Sequence, residues 1–333
     1  MSDKFKVGII GYGWAAEMHA KAAKSLGIEI LGVAGPNKIR RDQFASSHNI
    51  SESATTFQEI LEIKEIDAVI ICTPNSFHFD QSMAALSLNK HVFIEKPVCT
   101  SLEDAQQLRR ISLANDLQVG VGHMWRYRDE VVALRNRVLA GDFGRIVSTH
   151  GYGVHSKWGP KGWFLDKAAS GGGALIDMGI HAIDTARFII GDPLPIRVQA
   201  SIGVGDFSDS PVDDNGFILV DWNNGARSLI EFGWWQPDLK GLEAETEVTG
   251  TNGIAQIWPG FRKFSADYMH CSLPMYSAQL MDFAKACNSG SGMRSSLDNG
   301  ITALQIVIEA YEASRLVLPR DKSIPTWEHK WQN

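Results

Sequence analysis

The chain has 333 residues, enough for about two domains and for a large core that needs neither disulfides nor metal. Apolar residues make up 44% and charged residues 21%, the balance of an ordinary soluble globular protein, and 32 basic against 38 acidic side chains leave a net charge of −6. That charge argues against nucleic acid or an anionic membrane as a partner, and no apolar run is long enough to span a bilayer.

Met1 to Lys6 lead directly into a strand, with neither an apolar leader core nor a twin arginine, so no cleaved targeting segment is expected. Over the first 120 or so residues, short apolar runs alternate with helical patterns, the mark of βαβ units and a parallel sheet. Strands are predicted over Phe5–Ile10, Ile28–Val33, Ala68–Cys72, His91–Ile94 and Gln118–Val121, with helices such as Ala15–Leu26 and Phe79–Leu88 between them. The Val- and Ile-rich strands lack polar alternation, which suits burial on both faces. Thr55-x-x-Gln58 and Thr100-x-x-Glu103 read as capping boxes.

Near residue 122 the pattern changes. Phe217–Trp222 and Ala226–Phe232 flank Asn223-Asn224-Gly225, and Glu245–Thr249 and Ile254–Trp258 flank Gly250-Thr251-Asn252-Gly253; both are hairpin signals. Tyr276–Cys287 and Asn299–Leu316 read as late helices, followed by a Pro/Trp-rich tail expected to pack on the surface. The predicted architecture is an α/β Rossmann domain over residues 1–122, then an α+β domain with an open, mostly antiparallel sheet over 123–333, serving substrate binding and oligomerisation.

Gly11-x-Gly13-x-x-Ala16 follows the first strand and opens the first helix. Gly11 suits the tight turn, Gly13 leaves room for a pyrophosphate, and Ala16 allows close helix–strand packing, while the N–H groups of Trp14, Ala15 and Ala16 face the phosphate charge. The second strand leads into Val33-Ala34-Gly35-Pro36-Asn37-Lys38-Ile39-Arg40-Arg41, with no carboxylate between Glu29 and Asp42. Asn37, Arg40 and Arg41 therefore point to a 2′-phosphate, so NADP(H) is expected over NAD(H); a solvated basic helix start is the competing explanation.

Thr73-Pro74-Asn75-Ser76-Phe77-His78 and Glu95-Lys96-Pro97 each follow a strand, so both lie at the carboxyl edge of the sheet, where ligands bind. Asn75 is placed to bond cofactor or substrate; His78 is equally a helix-start histidine bonded to backbone. Lys96 is suited to orient a substrate hydroxyl, with Glu95 and Pro97 fixing its backbone. Gly171-Gly172-Gly173 precedes Asp177 and His181, which share a face if the segment is helical, and an imidazole near neutrality can take a proton from a hydroxyl and return it. By itself such a pair is as readily structural. In His123-Met124-Trp125-Arg126-Tyr127, Arg126 is a candidate grip on polar substrate groups, and Trp158 and Trp163 are candidates for stacking on a sugar face, with domain-interface packing as the alternative. Cys72, Cys99, Cys271 and Cys287 form no CxxC pair or zinc spacing, so reduced thiols in a cytoplasmic protein, and no metal, are expected.

Taken in this order, the glycine turn, Thr73–His78, Glu95-Lys96-Pro97 and Gly171-Gly172-Gly173-x-Leu175-x-Asp177-x-Gly179-x-His181-x-x-Asp184 resemble the Gfo/Idh/MocA (glucose-fructose oxidoreductase / inositol dehydrogenase) family along nearly the whole chain. The resemblance implies an NAD(P)-dependent oxidoreductase acting on one carbon of a sugar, polyol or derivative. It places Lys96, Asp177 and His181 in the catalytic positions, Glu95 beside the cofactor, and Arg126 and Trp163 around the substrate. His181 would take the hydroxyl proton as hydride leaves the carbinol carbon. It also implies a homodimer or homotetramer through the second sheet. Two other readings remain: a cofactor-dependent glycoside hydrolase acting by transient oxidation, and a non-catalytic dinucleotide sensor.

Overall fold

The computed structural model describes residues 5–155, 161–204, 211–234, 245–257 and 273–315. The first half runs β1 (Lys6–Ile10), α1 (Trp14–Leu26), β2 (Glu29–Ala34), α2 (Lys38–His48), β3 (Glu52–Ala54), α3 (Phe57–Leu61), β4 (Ala68–Ile71), α4 (His78–Ser87), β5 (His91–Ile94), α5 (Leu102–Ala114) and β6 (Val119–Val121). The six strands are all parallel, in the order β3-β2-β1-β4-β5-β6. The chain moves outward from β1, returns, and moves outward again from β4. The crevice of this doubly wound sheet therefore opens at the carboxyl ends of β1 and β4. Every residue of β4 is buried, as a strand covered on both faces requires. Alanines make the close contact of α1: Ala16, Ala20 and Ala23 are fully buried.

The sequence pattern misses the three-residue edge strand β3, too short to show a period. It also misplaces two helix caps by one residue. Thr56, not Thr55, caps α3 with Glu59, because Thr55 Oγ1 accepts from Arg41 Nη1; Ser101, not Thr100, caps α5 through the N–H of Asp104.

Beyond β6 come α6 (Asp129–Leu139), β7 (Ile146–His155), α7 (Lys167–Ser170), α8 (Ile180–Ile189), β8 (Pro195–Val204), β9 (Asp213–Trp222), β10 (Arg227–Trp234), β11 (Glu245–Gly250), β12 (Gly253–Ile257), α9 (Leu273–Ser289) and α10 (Leu297–Arg315). The second sheet has the order β12-β11-β7-β10-β9-β8 and is antiparallel except between β7 and β10. Both expected hairpins form, β9–β10 and β11–β12; Trp258, Cys271 and the residues after 315 lie outside the described residues. Strict alternation sorts β9 into two faces. Ile218, Val220 and Trp222 point inward, where α8 and α10 pack against the sheet, while Phe217 is exposed on the other side.

One packing relation crosses the division expected at residue 122. Helix α9, late in the chain, lies beside α1 and sends Tyr276, Leu280 and Phe283 into the apolar cluster of Val7, Ile9 and Phe93 under the first sheet.

Candidate active site

The glycine turn has the shape a dinucleotide needs. Gly11 has φ +107°, and a Cβ there would lie 2.5 Å from the carbonyl oxygen of Cys72 at the end of β4. Gly13 faces open space, with no atom within 4 Å of a Cβ added to it. It is the N-cap of α1, and no side chain caps that helix. The N–H groups of Trp14, Ala15 and Ala16 thus begin a helix whose positive end opens onto unfilled volume, which fits a pyrophosphate.

At the end of β2, Asn37 Oδ1 caps α2 through the N–H of Arg40 (3.0 Å), and the Asn37 N–H donates to Tyr12 Oη (3.0 Å). Arg40 is exposed, with its guanidinium 5.2 Å from the centre of the Tyr12 ring. Arg41 departs from its expected role. It is buried and donates to Ser53 Oγ, the Gly35 carbonyl and Thr55 Oγ1, so its donors hold the β2–α2 corner rather than facing a 2′-phosphate.

The Thr73–His78 loop is locked by its own polar groups. Thr73 Oγ1 donates to Gln81 Oε1 (2.7 Å), Pro74 precedes a single 3₁₀ turn, and Asn75 Nδ2 donates to the Ser170 carbonyl (2.7 Å), tying this loop to α7. His78 is fully buried between two carbonyls, with Nδ1 2.8 Å from Pro97 O and Nε2 2.9 Å from Thr73 O. Burial lowers its pKa, so the neutral ring has one N–H to donate. The expectation that His78 touches the cofactor gives way to a strut between this loop and the Pro97 carbonyl, just past the cis Lys96-Pro97 bond.

Lys96, two residues beyond the end of β5, is where the two halves of the chain meet. Its Nζ donates to Asp177 Oδ1 (2.8 Å) and to the Asp177 carbonyl (2.7 Å), across 81 residues of sequence. Asp177 lies in a π-helical turn, Leu175–Gly179, which runs into α8 with His181 in its first turn. Such wide turns are frequent at functional sites. The other carboxylate oxygen, Asp177 Oδ2, accepts from Trp234 Nε1 (3.0 Å). His181 is 3% exposed, and its charge, like that of Lys96, acts on the neighbouring Glu95. An ammonium, a carboxylate and an imidazole from opposite halves of the chain thus share one site at the carboxyl edge of the first sheet.

The glycines before this turn are required by close approach. A Cβ on Gly173 would stand 1.9 Å from the Asp213 carbonyl oxygen. Asp213 itself anchors the turn: Oδ1 accepts from the Gly173 N–H (2.7 Å) and Tyr311 Oη (2.9 Å), and Oδ2 from the Leu175 N–H (2.8 Å). Burial raises the Asp213 pKa against the effect of these donors. Sequence reasoning does not single out Trp234, Asp213 or Tyr311. For Trp234 a signal exists, because Ile230, Phe232 and Trp234 alternate onto the inner face of β10; for Asp213 none does.

Two expected ligand contacts are corrected. Arg126 is 1% exposed and spends its guanidinium on Asp184 and Asp192, so it is not a substrate grip. The Glu95 carboxylate, expected beside the cofactor, is buried and turned to His19 (Oε1 to Nε2, 2.7 Å). Trp163 lies half-buried in a 3₁₀ turn before α7, stacked on Phe164 with ring centres 3.9 Å apart; Trp158 is outside the described residues.

A doubly wound sheet with an open phosphate turn, meeting a lysine–aspartate pair and a histidine at its carboxyl edge, defines a two-sheet oxidoreductase of the nicotinamide-dinucleotide class. Family models agree: residues 5–123 match the oxidoreductase family with an NAD-binding Rossmann fold, and residues 131–256 match the GFO/IDH/MocA C-terminal domain. The chain belongs to the Gfo/Idh/MocA oxidoreductase family. It is 28% identical over 325 residues to the rhizopine catabolism protein MocA of Rhizobium meliloti, covering 96% of both chains. It is 29% identical over 250 residues to 1,5-anhydro-D-fructose reductase of Ensifer adhaerens, covering 74% of this chain and 73% of that one. The crystal structure of GenD2 from gentamicin A biosynthesis in complex with NAD shares the fold, with a TM-score of 0.85, 23% identity and 95% of each chain covered.

Proposed function

We propose that the chain transfers a hydride between a nicotinamide dinucleotide and a carbinol or carbonyl carbon of a sugar, polyol or sugar derivative. The observation that carries this is the Lys96–Asp177 pair beside His181 at the mouth of the dinucleotide crevice. The names of the relatives point the same way, to net oxidation or reduction rather than glycoside cleavage.

When a dinucleotide binds, the Trp14–Ala16 N–H groups, with Gly11 and Gly13 giving clearance, would hold its pyrophosphate, Asn37 and Arg40 would serve its adenosine end, and Thr73, Pro74 and Asn75 would wall its nicotinamide. The bound nicotinamide supplies the hydride acceptor or donor. Lys96 donates to the reacting oxygen and keeps it in place, Asp177 fixes that ammonium, and His181 takes or returns the hydroxyl proton, help typically worth about 10²–10⁴-fold. Trp163 offers an apolar surface to the face of a sugar ring. A spectrophotometric screen of sugars and polyols with NAD(H) and NADP(H) tests this; the reading fails if no member of either class changes nicotinamide absorbance.

The exposed Arg40 beside Tyr12, with no carboxylate at the end of β2, supports NADP(H) as the preferred cofactor. Arg40→Ala should then raise KM for NADP(H) about tenfold while leaving KM for NAD(H) near its starting value, the loss of a single charged contact. Equal catalytic efficiency with the two cofactors in the parent enzyme overturns this preference.

The outer face of the second sheet supports a homodimer or homotetramer. Phe217, Leu229 and Ile254 are exposed there on β9, β10 and β12, and Phe217 pairs in register with a half-buried Glu231 whose pKa burial raises. Light scattering of the parent and of Phe217→Lys reads this directly. Free thiols at Cys72, Cys99 and Cys287 suit a cytoplasmic setting, and among the described residues no helix is long and apolar enough to cross a membrane.

A further inference from the structure

Glu95 and His19 have no part in the roles assigned above, yet they form a buried charged contact next to the catalytic lysine. Glu95 lies between the end of β5 and Lys96; His19 lies in the middle of α1, the helix that the phosphate turn opens. Their side chains are 11% and 0% exposed. The His19 ring packs edge-on against Phe93 (5.1 Å) and Tyr276 (5.0 Å), and Tyr276 packs edge-on against Trp14 (6.1 Å), the first residue of α1. On the other side Gly122 makes room, since a Cβ there would stand 2.7 Å from Glu95 Oε2. Burial pushes the Glu95 pKa up, but the His19 hydrogen bond and charge, then Lys96 and His181, bring it below the usual value, so the carboxylate is ionised. An apolar pair of similar volume would serve stability at least as well.

The charges around His181 show what this carboxylate adds. The π-turn brings Asp177, the end of β5 brings Glu95 and Lys96, the segment after β6 brings His123, and α8 itself carries Asp184, which faces Arg126. Asp177 is matched by Lys96, and Asp184 by Arg126. Glu95 is held by an imidazole instead of a permanent cation.

We propose that the Glu95–His19 pair is a positioning element of the catalytic centre: it ties Lys96 to the phosphate-binding helix and supplies the buried negative charge that keeps His181 a competent base. This rests on the roles proposed for Lys96 and His181.

Glu95→Gln keeps the shape and an acceptor for His19 but removes the charge. The acid limb of kcat/KM for alcohol oxidation should move down by about one pH unit, because an anion that favours the imidazolium is gone. kcat should fall about tenfold, and cofactor affinity, read by nicotinamide fluorescence, should stay within about threefold. Without substrate or cofactor, the imidazole NMR signal that His181→Gln deletes should titrate lower by the same shift. Glu95→Asp retains the charge and should leave both at the parent position. A folded Glu95→Gln protein with lower melting temperature but unmoved limb and unmoved imidazole titration overturns the proposal, since a strut alone does only that. Should Glu95→Gln fail to fold, His19→Gln decides: it takes away the imidazole that balances the Glu95 carboxylate, so the limb and the His181 titration should move together, and a folded variant with both unmoved overturns the proposal. Full turnover by His181→Ala would instead sink the reading of the site itself.

Discussion

Two cation–carboxylate pairs lie within two turns of each other around α8, and they do different things. Lys96–Asp177 joins a single ammonium to a carboxylate at the crevice, with side chains 16% and 10% exposed. Arg126–Asp184 is sealed at 1% and 2%, and its guanidinium also reaches Asp192, which Arg135 and Arg187 share. The first pair has one cation at the crevice, whose proton and position serve the substrate in the function proposed above. The second is a charge cluster with permanent cations, its central pair buried and its outer members Asp192 and Arg135 reaching the surface on the far side, with side chains 23% and 21% exposed. Ion pairing alone marks neither as functional, and an imidazole lies near both, since His123 Nδ1 is 3.7 Å from Asp184 Oδ2; what separates them is position at the carboxyl edge of the first sheet.

Removing members of the first pair's site should produce the largest effect on turnover. Lys96→Ala or His181→Ala should lower kcat by about 10²–10⁴-fold with cofactor affinity largely kept. Near-normal turnover in both variants breaks the comparison. Arg126→Met should do the reverse. It leaves Asp184 buried without its main cation and should cost about 3–5 kcal/mol of stability by chemical denaturation. The part of the population that remains folded should turn over at near the parent rate. Loss of kcat in proportion to that of His181→Ala would return Arg126 to the substrate site.

The first sheet is legible in the sequence because its information is local. Each buried strand is a run of Val and Ile, and each crevice loop follows one, so Gly11, Thr73 and Lys96 can be placed without knowing any contact. The partners of those residues are not local. Arg126 and Glu95 sit in motifs at the expected edge, which is why both read as ligand contacts; only packing shows that Asp184 and His19 have taken them. Arg41 fails for the same reason, through Ser53 on the next strand and Thr55 just past its end. Asp213 is 40 residues from the N–H of Gly173 that it holds, with no periodicity to announce it.

A smaller effect sharpens the comparison from the carboxylate side. Trp234→Phe removes the donor to Asp177 Oδ2 and leaves the Lys96 bond. A hydrogen bond to a charged group is worth about 1.5–3 kcal/mol, so kcat/KM should fall about tenfold or somewhat more, with a modest drop in melting temperature. An unchanged kcat/KM would mean that Lys96 alone fixes Asp177.

The weakest signal is the pH dependence of stability, and it belongs to the second pair. Burial alone would raise the Asp184 pKa, but Arg126, with His123 and Arg187, brings it below the ordinary 3.8. A folded-state value below the unfolded one stabilises the protein at every pH above about 3.8, and that contribution disappears as pH falls through the folded-state value. The stability of the parent should therefore decline in acid partly on account of Asp184. Asp184→Asn should be less stable at neutral pH yet lose less on acidification, so the stability curves of the two proteins should converge as pH falls below 3.8. Parallel curves would show that Arg126 takes its compensation from Asp192 instead, and that the charge cluster does not depend on the one carboxylate placed a single turn beyond His181.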